Sequence, residues 1–409
     1  MMRTGTIVLC CSILQLPACE SEVGGRGYVV RDSADLEIVD NMRPAWGVGE
    51  GWVVEPYPDL DVSGQEDDEL HNPRDPLLLD DGRLVFYNGG TCEVRIYDDT
   101  PALLSAWGGC GEGPGEFTVF GGIWSWTGDS LLVVDQLPAR VSVFDSHGGL
   151  GRTALVPTLD EMPIPFVLGV FGDGTLVTSG LRDPAGRSSP GIEAGRRSVA
   201  LVQDWASPQL LGMFPGPVWE YTEWNGRVGR GRFAFSSATE FTVDRRRLFA
   251  GFPDRYEIRV FRTDGTAERI IRRRFESIRV AQRDIDWLLE RRLNEVEGSE
   301  NEQIVRRAFR DLQYADVMPS FGVPTWPGGA DGGPSLLADA GGNLWVFDHY
   351  RPGEYRNRWT LFSPEGVWLG GVSLPDHLVP THIGPDFVLG LWTDDEGFVH
   401  VRRHRINKT

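Results

Sequence analysis

Short runs of alternating apolar and polar residues follow one another along most of the chain, and turns rich in Gly, Asp and Pro separate them. A turn followed by such a run recurs at Gly82, Gly128 and Gly174, with a constant spacing of 46 residues. Two further copies begin at Asp244, where the pattern is less regular, and at Asp339. Alternation with a period of two, bounded by these corner residues, predicts antiparallel strands joined in hairpins.

A second hairpin follows most of these runs, so each repeat predicts a four-stranded sheet. Sheets that recur at this spacing are typical of the blades of a β-propeller, which pack face to face around an axis. The sequence therefore predicts an all-β fold, a six-bladed β-propeller, with five or seven blades as alternatives. The predicted blades lie near 77–107, 120–155, 166–212, 236–273 and 334–373, and the sixth combines 381–383, 387–392 and 398–406 with an N-terminal strand near 60–63. This closure leaves no blade without a neighbour.

The interval between residues 273 and 334 has a helical pattern instead. Apolar residues at helical spacing predict one helix over 280–294 and a second over 299–314. Ser299 and Glu302 have the spacing of a capping box at the start of the second helix. We therefore expect a helical hairpin, at about 280–315, inserted between blades four and five. Its apolar stripe is expected to pack on the propeller, and partner binding is the alternative.

The N-terminus has the features of a secretory signal, because Arg3 precedes a short apolar segment. Residues 16–19 read Leu-Pro-Ala-Cys, which resembles the bacterial lipobox, in which the cysteine is acylated. We expect a signal peptide at 1–18, a lipidated tether at 19–34 that begins with Cys19, and the propeller at 35–409. An ordinary signal peptide is the alternative. The predicted location is the bacterial cell envelope, lipid-anchored and facing the periplasm or the exterior.

Two cysteines remain beyond the signal and Cys19, namely Cys92 and Cys110. They flank a predicted hairpin with strands at 93–98 and 102–107, and antiparallel pairing brings the two cysteines together at its open end. An exported compartment permits oxidation, so we predict a disulfide between Cys92 and Cys110. Two buried free thiols are the alternative.

The net charge of −19 argues against nucleic acid as a partner, because cations must replace the counterions of a phosphate backbone. Lys408 is the single lysine, so lysine-based Schiff-base or phosphate-loop chemistry has no usable residue. No catalytic constellation is present, and we assign no catalytic residue.

Oxygen-bearing side chains recur where the repeated strands end, and equivalent positions in successive blades face one side of a propeller. These residues can hold a hard cation such as calcium, or a polar solute, whereas capping of turns by the same side chains is the alternative. The neighbouring charged and aromatic residues of the 348–351 loop belong to the same candidate face. The candidate residues are Asn88, Asp135, Asp348, His349, Tyr350, Arg351 and Asp394.

Three segments resemble a family of bacterial six-bladed β-propeller lipoproteins, similar in architecture to NHL-repeat propellers. They are Gly-Glu-Gly-Pro-Gly-Glu-Phe at 111–117, Gly-Asn-Leu-Trp-Val at 342–346 and Asp-Phe-Val-Leu-Gly-Leu-Trp at 386–392. The resemblance implies a propeller fold and an exported setting, and it implies no reaction.

Two functions are compatible with these patterns. The first is a non-enzymatic module that binds a protein or a small-molecule ligand through one face while a lipid anchor holds it at a membrane. The alternative is a calcium-dependent hydrolase resembling propeller lactonases, which requires the carboxylates of Asp135, Asp348 and Asp394 to converge on one point.

Overall fold

The computed structural model describes residues 27–63, 70–182, 189–224, 227–299, 301–310, 312–322 and 333–408. The predicted signal peptide and Cys19 lie outside these residues. Residues Tyr28–Ser33 of the predicted tether form the first strand.

The described residues form the following strands and helices. Before the first repeat lie β1 (Tyr28–Ser33), β2 (Leu36–Asn41), β3 (Trp52–Val54) and β4 (Leu60–Val62). The first three repeats contain β5 (Pro73–Leu78), β6 (Leu84–Asn88), β7 (Glu93–Tyr97), β8 (Leu103–Gly108), β9 (Phe120–Ser125), β10 (Leu131–Gln136), β11 (Ala139–Phe144), β12 (Leu150–Leu155), β13 (Phe166–Val170), β14 (Leu176–Arg182), β15 (Gly191–Gln203), β16 (Ser207–Trp224) and β17 (Arg227–Arg232). The remaining elements are β18 (Glu240–Val243), β19 (Arg247–Phe252), β20 (Glu257–Arg262), β21 (Ala267–Arg273), α1 (Gln282–Glu295), α2 (Glu302–Arg310), β22 (Leu336–Ala338), β23 (Leu344–Phe347), β24 (Arg358–Phe362), β25 (Trp368–Ser373), β26 (Leu378–Ile383), β27 (Phe387–Thr393) and β28 (Val399–Lys408).

The described strands form six sheets, which are largely antiparallel meanders that follow the chain order: β5–β8, β9–β12, β13–β17, β18–β21, β22–β25 and β26–β28. The first strands of consecutive sheets contact one another in a closed cycle, which runs β5, β9, β13, β18, β22, β26 and back to β5. β3 and β4 both pair with β28, so the N-terminal segment completes the sixth sheet, as predicted. The fold is therefore a mostly β, propeller-type architecture.

The hydrophobic core lies between neighbouring sheets. Val85 and Val133 share a cluster between the first and second sheets, and Leu344 and Ile258 share one between the fifth and fourth. A further cluster joins Phe86 of the first sheet to Leu389 and Val401 of the sixth. Burying each such side chain contributes about 1.5–3 kcal/mol, so every sheet is stabilised by both neighbours.

Two additions to the sheets are not evident in the repeat pattern. β1 and β2 form a hairpin whose second strand pairs in parallel with β21, at the outer edge of the fourth sheet. The Asn41 side chain secures it by donating to the Arg272 and Gly366 carbonyls and accepting from the Trp368 amide. β17 adds a fifth strand to the third sheet, beyond the predicted end of that blade at residue 212.

The disulfide between Cys92 and Cys110 is present, with a Cα–Cα distance of 5.0 Å. Glu93 pairs with Gly108, so the hairpin brings the two cysteines to its open end as predicted. Gly108 has a φ of +115°, and a Cβ there would lie 2.9 Å from the Cys92 carbonyl oxygen. Only glycine suits this position.

α1 and α2 lie between β21 and β22 in the chain, and they pack with Ala234, Phe235 and Met318 in a separate apolar cluster. α2 ends at Arg310 rather than at the predicted residue 314, because Tyr314 forms an extended bridge with Ala234. Neither helix is long and apolar enough to cross a bilayer, and no other helix occurs among the described residues.

In each of the six sheets, the edge at which the first strand begins is also the edge at which the second strand ends. In the second sheet, for example, Phe120 at the start of β9 pairs with Asp135 near the end of β10. The last strand ends at the same edge and leads into the next sheet, so these edges lie on one side of the ring. We call this side the connection face, and the first strands begin on it at Pro73, Phe120, Phe166, Glu240, Leu336 and Leu378.

Candidate functional site

A cleft of about 300 Å³ opens on the connection face between the fourth and fifth sheets. Its polar side is formed by three parts of these sheets: the end of β21, the turn between β19 and β20, and the segment after β23. The segment that carries the helical hairpin forms the rest. The lining residues are Tyr256, Arg273, Arg274, Phe275, Glu276, Ile278, Met318, Pro319, Ser320, Asp348 and His349.

Arg273, the last residue of β21, organises the polar side of the cleft. Its Nη1 donates to the Tyr256 hydroxyl at 3.1 Å, to Asp348 Oδ1 at 3.3 Å and to Thr360 Oγ1 at 2.5 Å. The guanidinium also lies 4.2 Å from the ring centroid of Trp368. These contacts, which join strands of two sheets, hold one cation and one carboxylate in fixed positions.

The pKa values in this network follow from burial and from charge pairing. Burial raises the pKa of Tyr256 to about 12, so the phenol stays protonated. Burial disfavours the charged form of Arg273, but the Tyr256 oxygen and the Asp348 carboxylate outweigh it and raise the pKa of Arg273. The cation therefore persists inside the cleft.

His349 lies beside Asp348, and burial lowers the pKa of His349 to about 4. The imidazole is thus neutral at physiological pH, with one N–H donor and one nitrogen acceptor. Both ring nitrogens are buried, and within the described residues neither forms a hydrogen bond of regular geometry, although the Gly322 backbone lies near enough to the ring to oppose the lowering of the pKa of His349. The Nε of Arg273 is also buried and has no hydrogen-bond partner of regular geometry among the described residues. Buried polar atoms of this kind usually have partners, so the cleft offers hydrogen bonds to a ligand.

Ser320 fixes the turn that presents Tyr256. Its Oγ donates to the Pro253 carbonyl at 2.7 Å and accepts from the Tyr256 amide at 3.1 Å. Tyr256 has a φ of +47°, a conformation that a non-glycine residue adopts only where its surroundings impose it. The Ser320 hydroxyl is therefore a positioning group.

Two of the predicted site residues act as turn caps. Asn88 is fully buried, accepts from the His71 amide at 2.8 Å and donates to Thr91 Oγ1 at 3.0 Å. Asp135 is almost fully buried and accepts from the backbone amides of Thr118 and Val119. Both side chains thus hold the backbone that leads into the first strand of their own sheet.

Of the four residues predicted at 348–351, two line the cleft and two pack behind it. Asp348 and His349 line the cleft. Tyr350 packs edge-on against Phe347 and Tyr355, away from the lining. Arg351 donates to Asp284 of α1 at 2.7 Å and thereby connects the helical hairpin to the fifth sheet.

Asp394 belongs to the sixth sheet, where it caps a turn by accepting from the amides of Glu396 and Phe398. Asp135, Asp348 and Asp394 each have partners of their own, and the structure does not gather them at one point. Over the chain segments described, no three His, Cys, Asp or Glu side chains are arranged to hold a metal ion.

Sequence reasoning missed Tyr256 and Arg273 as cleft residues. A signal was present, since Arg272, Arg273 and Arg274 end a strand just before the helical insertion. A run of arginine at such a position does not show which of its members turns inward. That choice depends on Asp348 and Thr360, which come from another sheet.

Comparisons with known proteins show fold-level similarity only. No family model matches the chain, and no curated protein matches it. Solved structures that resemble it include a protein described as exported from Bacteroides fragilis NCTC 9343, with 10% identity, coverage of 91% of this chain and 99% of the other, and a TM-score of 0.47. Virginiamycin B lyase from Staphylococcus aureus has 8% identity, coverage of 87% and 99%, and a TM-score of 0.39. A gluconolactonase from Xanthomonas campestris has 12% identity, coverage of 89% and 99%, and a TM-score of 0.41. These similarities carry no inference about activity.

Proposed function

We propose that this chain is an exported six-bladed β-propeller, anchored to a membrane through Cys19, that binds a small molecule in the cleft between the fourth and fifth blades. The closed cycle of six first strands supports the blade count. The position of α1 and α2 between β21 and β22 supports a helical hairpin inserted between these two blades. The hairpin segment then forms one wall of the binding site.

The observation that carries the proposal is His349. Burying an imidazole without hydrogen bonds costs free energy, because the group loses its water partners. His349 lines a cleft whose volume lies at the lower end of the range for ligand sites. A ligand that supplies one acceptor and one donor removes this cost.

The lining indicates a small polar ligand without net charge. Arg273 and Arg274 are balanced by Asp348 and Glu276, so the formal charges of the lining cancel. Phe275, Ile278 and Met318 provide apolar surface beside these groups. The charge of −19 on the whole chain disfavours anions at longer range.

The hydrogen bonds and the pKa values of the polar groups in the cleft favour binding without catalysis. Arg273, Asp348 and Ser320 already have hydrogen-bond partners, and these hold them in structural positions. His349, with a pKa of about 4, is a weak base at neutral pH, whereas a general base works best with a pKa near the operating pH.

Saturation-transfer NMR with a panel of neutral disaccharides and zwitterionic dipeptides tests the proposal. At least one compound should give a signal with the wild-type chain, and His349→Phe should reduce it at least fivefold. His147→Phe, a matched change in an exposed turn, should leave it unchanged. A signal that survives His349→Phe would place the binding site elsewhere, and a panel without any signal would count against the proposed ligand class.

The anchor is tested separately. Mass spectrometry of the mature protein should find an acylated N-terminal Cys19, and Cys19→Ala should release the chain from the membrane fraction. An unmodified N-terminus would reject the anchor while leaving the binding cleft intact.

A further inference from the structure

The chain enters the described fold on the connection face. Tyr28 pairs with Asn41, and Asn41 pairs in parallel with Arg273 at the end of β21. The Gly27 carbonyl accepts from the amides of Met42 and Arg43, just beyond the same strand end. The described part of the chain therefore begins on the side of the ring where the cleft opens.

The distance from this point to the proposed anchor is short. Eight peptide units separate Cys19 from Gly27, and each spans at most about 3.6 Å, so the reach is roughly 30 Å. A ring held by such a tether keeps the connection face nearer to the bilayer than the opposite face.

The connection face also carries an apolar patch, which we define as Val119, Leu137, Leu155, Ile164 and Phe166. These side chains are between 40% and 63% exposed. The loops that carry them are joined directly, because Gln136 donates through its amide to the Val119 carbonyl and through its side chain to the Pro165 carbonyl. The patch is thus a fixed surface made by the second and third sheets.

We propose that the apolar patch rests in the headgroup region of a phospholipid bilayer and turns the cleft toward the membrane. This inference rests on the proposed anchoring at Cys19. Net negative charge repels anionic lipids, so contact through apolar side chains is the attraction available to this face. The ligand then reaches the cleft from the space between the ring and the bilayer.

Depth-dependent fluorescence quenching tests the orientation without requiring natural acylation. A histidine tag replaces residues 1–19 and holds the chain on vesicles of phosphatidylcholine with a nickel-chelating lipid. Because Cys92 and Cys110 form a disulfide, a cysteine introduced by Leu137→Cys is the single free thiol and carries the fluorophore. Leu104→Cys is the matched control, since Leu104 is 54% exposed near the opposite edge of the first sheet.

Nitroxide-bearing lipid should quench the fluorophore at position 137 at least twice as strongly as the fluorophore at position 104. Ile164→Cys provides a second position in the patch, in case Leu137→Cys disturbs the turn before Pro138. Ile164→Asp on the Leu137→Cys background should weaken the quenching.

Equal quenching at 104 and at both patch positions would overturn the proposal and leave the patch as a surface for a protein partner. Stronger quenching at the patch, combined with an unmodified Cys19 in the native protein, would reject the anchor. In that case the patch would bind a bilayer without a lipid anchor at Cys19.

Discussion

Asp135 lies near the end of β10 with its side chain almost fully buried, and its contacts are internal. It accepts from two backbone amides and pairs with Arg140 at 3.1 Å. Asp135→Asn should therefore lower the free energy of unfolding by about 2–4 kcal/mol, because Arg140 and both amides lose a charged acceptor. Denaturant unfolding measures this loss, with Asp129→Asn at an exposed position as the control. A calcium-dependent stabilisation that disappears in Asp135→Asn would instead support a cation site.

His382 joins the sixth sheet to the first, since its Nδ1 accepts from the Leu78 amide at 3.0 Å. Burial lowers the pKa of His382 to about 4, below its ordinary value of 6.5. The unfolded chain then binds the proton more readily, so this contribution to stability is complete above pH 6.5 and is lost as the pH falls toward 4.

The expected loss between these pH values is about 3 kcal/mol, from 1.36 kcal/mol per pKa unit. His382→Asn keeps an acceptor near the Leu78 amide and removes the titration. Its unfolding free energy should thus depend less steeply on pH than that of the wild type. If the unfolding free energies of the wild type and of His382→Asn changed equally with pH, the low pKa assigned to His382 would be contradicted.

At the level of elements, the disulfide closes the hairpin of β7 and β8. Closure of a loop of 18 residues reduces the conformational entropy of the unfolded chain, which stabilises the fold by about 3 kcal/mol in the entropic model. The double variant Cys92→Ala with Cys110→Ala should show this loss in denaturant unfolding. Reductant should lower the stability of the wild type and leave the double variant unchanged. A wild type that is insensitive to reductant would argue against the bond.

A buried carboxylate helps to attach the helical hairpin to the fifth sheet. Asp284 accepts from the Ala281 amide at the start of α1 and from Arg351. Asp284→Ala should speed amide hydrogen exchange in α1 at least tenfold, because the helix loses its N-terminal acceptor and its ion pair. Asp286→Ala, an exposed change on the same helix, should have little effect. Equal exchange in both variants would show that apolar packing alone holds the hairpin.

On the scale of the whole molecule, the two N-terminal parts differ in importance. β1 and β2 extend the outer edge of the fourth sheet, whereas β3 and β4 pair with β28 in the sheet that closes the cycle. Deletion of residues 27–41 should give a folded chain with a lower melting temperature. Deletion of residues 27–63 should prevent cooperative folding, because the sixth sheet loses its outer strands. Circular dichroism during heating separates these results, and two deletions of equal stability would refute this role of ring closure.

The repeats could be located from the sequence because their signals are local. Glycine in the turns at Gly82, Gly128 and Gly174 adopts positive φ, and the runs that follow Gly82 and Gly128 form strands that are buried at every position. The disulfide was predictable for the same reason, since the register of one hairpin places its cysteines. β1 and β2 were missed, because pairing with β21 occurs across more than 200 residues.

The residues that line the cleft were predicted only in part. Asp348 and His349 lie in the cleft, while Asn88, Asp135 and Asp394 cap turns in other sheets. Residue type does not distinguish these roles, because the same carboxylate can accept from a backbone amide or face a cavity. The partners that decide between them are distant in the chain.

The amino-acid sequence by itself determined the strands of the repeats, the two helices and the one hairpin disulfide, since alternation, turn residues and helical spacing act over a few neighbouring positions. The tertiary structure alone decided that Arg273 meets Asp348 and Thr360, and that His349 is buried beside them with neither ring nitrogen in a regular hydrogen bond to any described residue. Local patterns specify which side chains leave water. Which charged and polar groups then share a cleft depends on how whole sheets pack against each other around the ring.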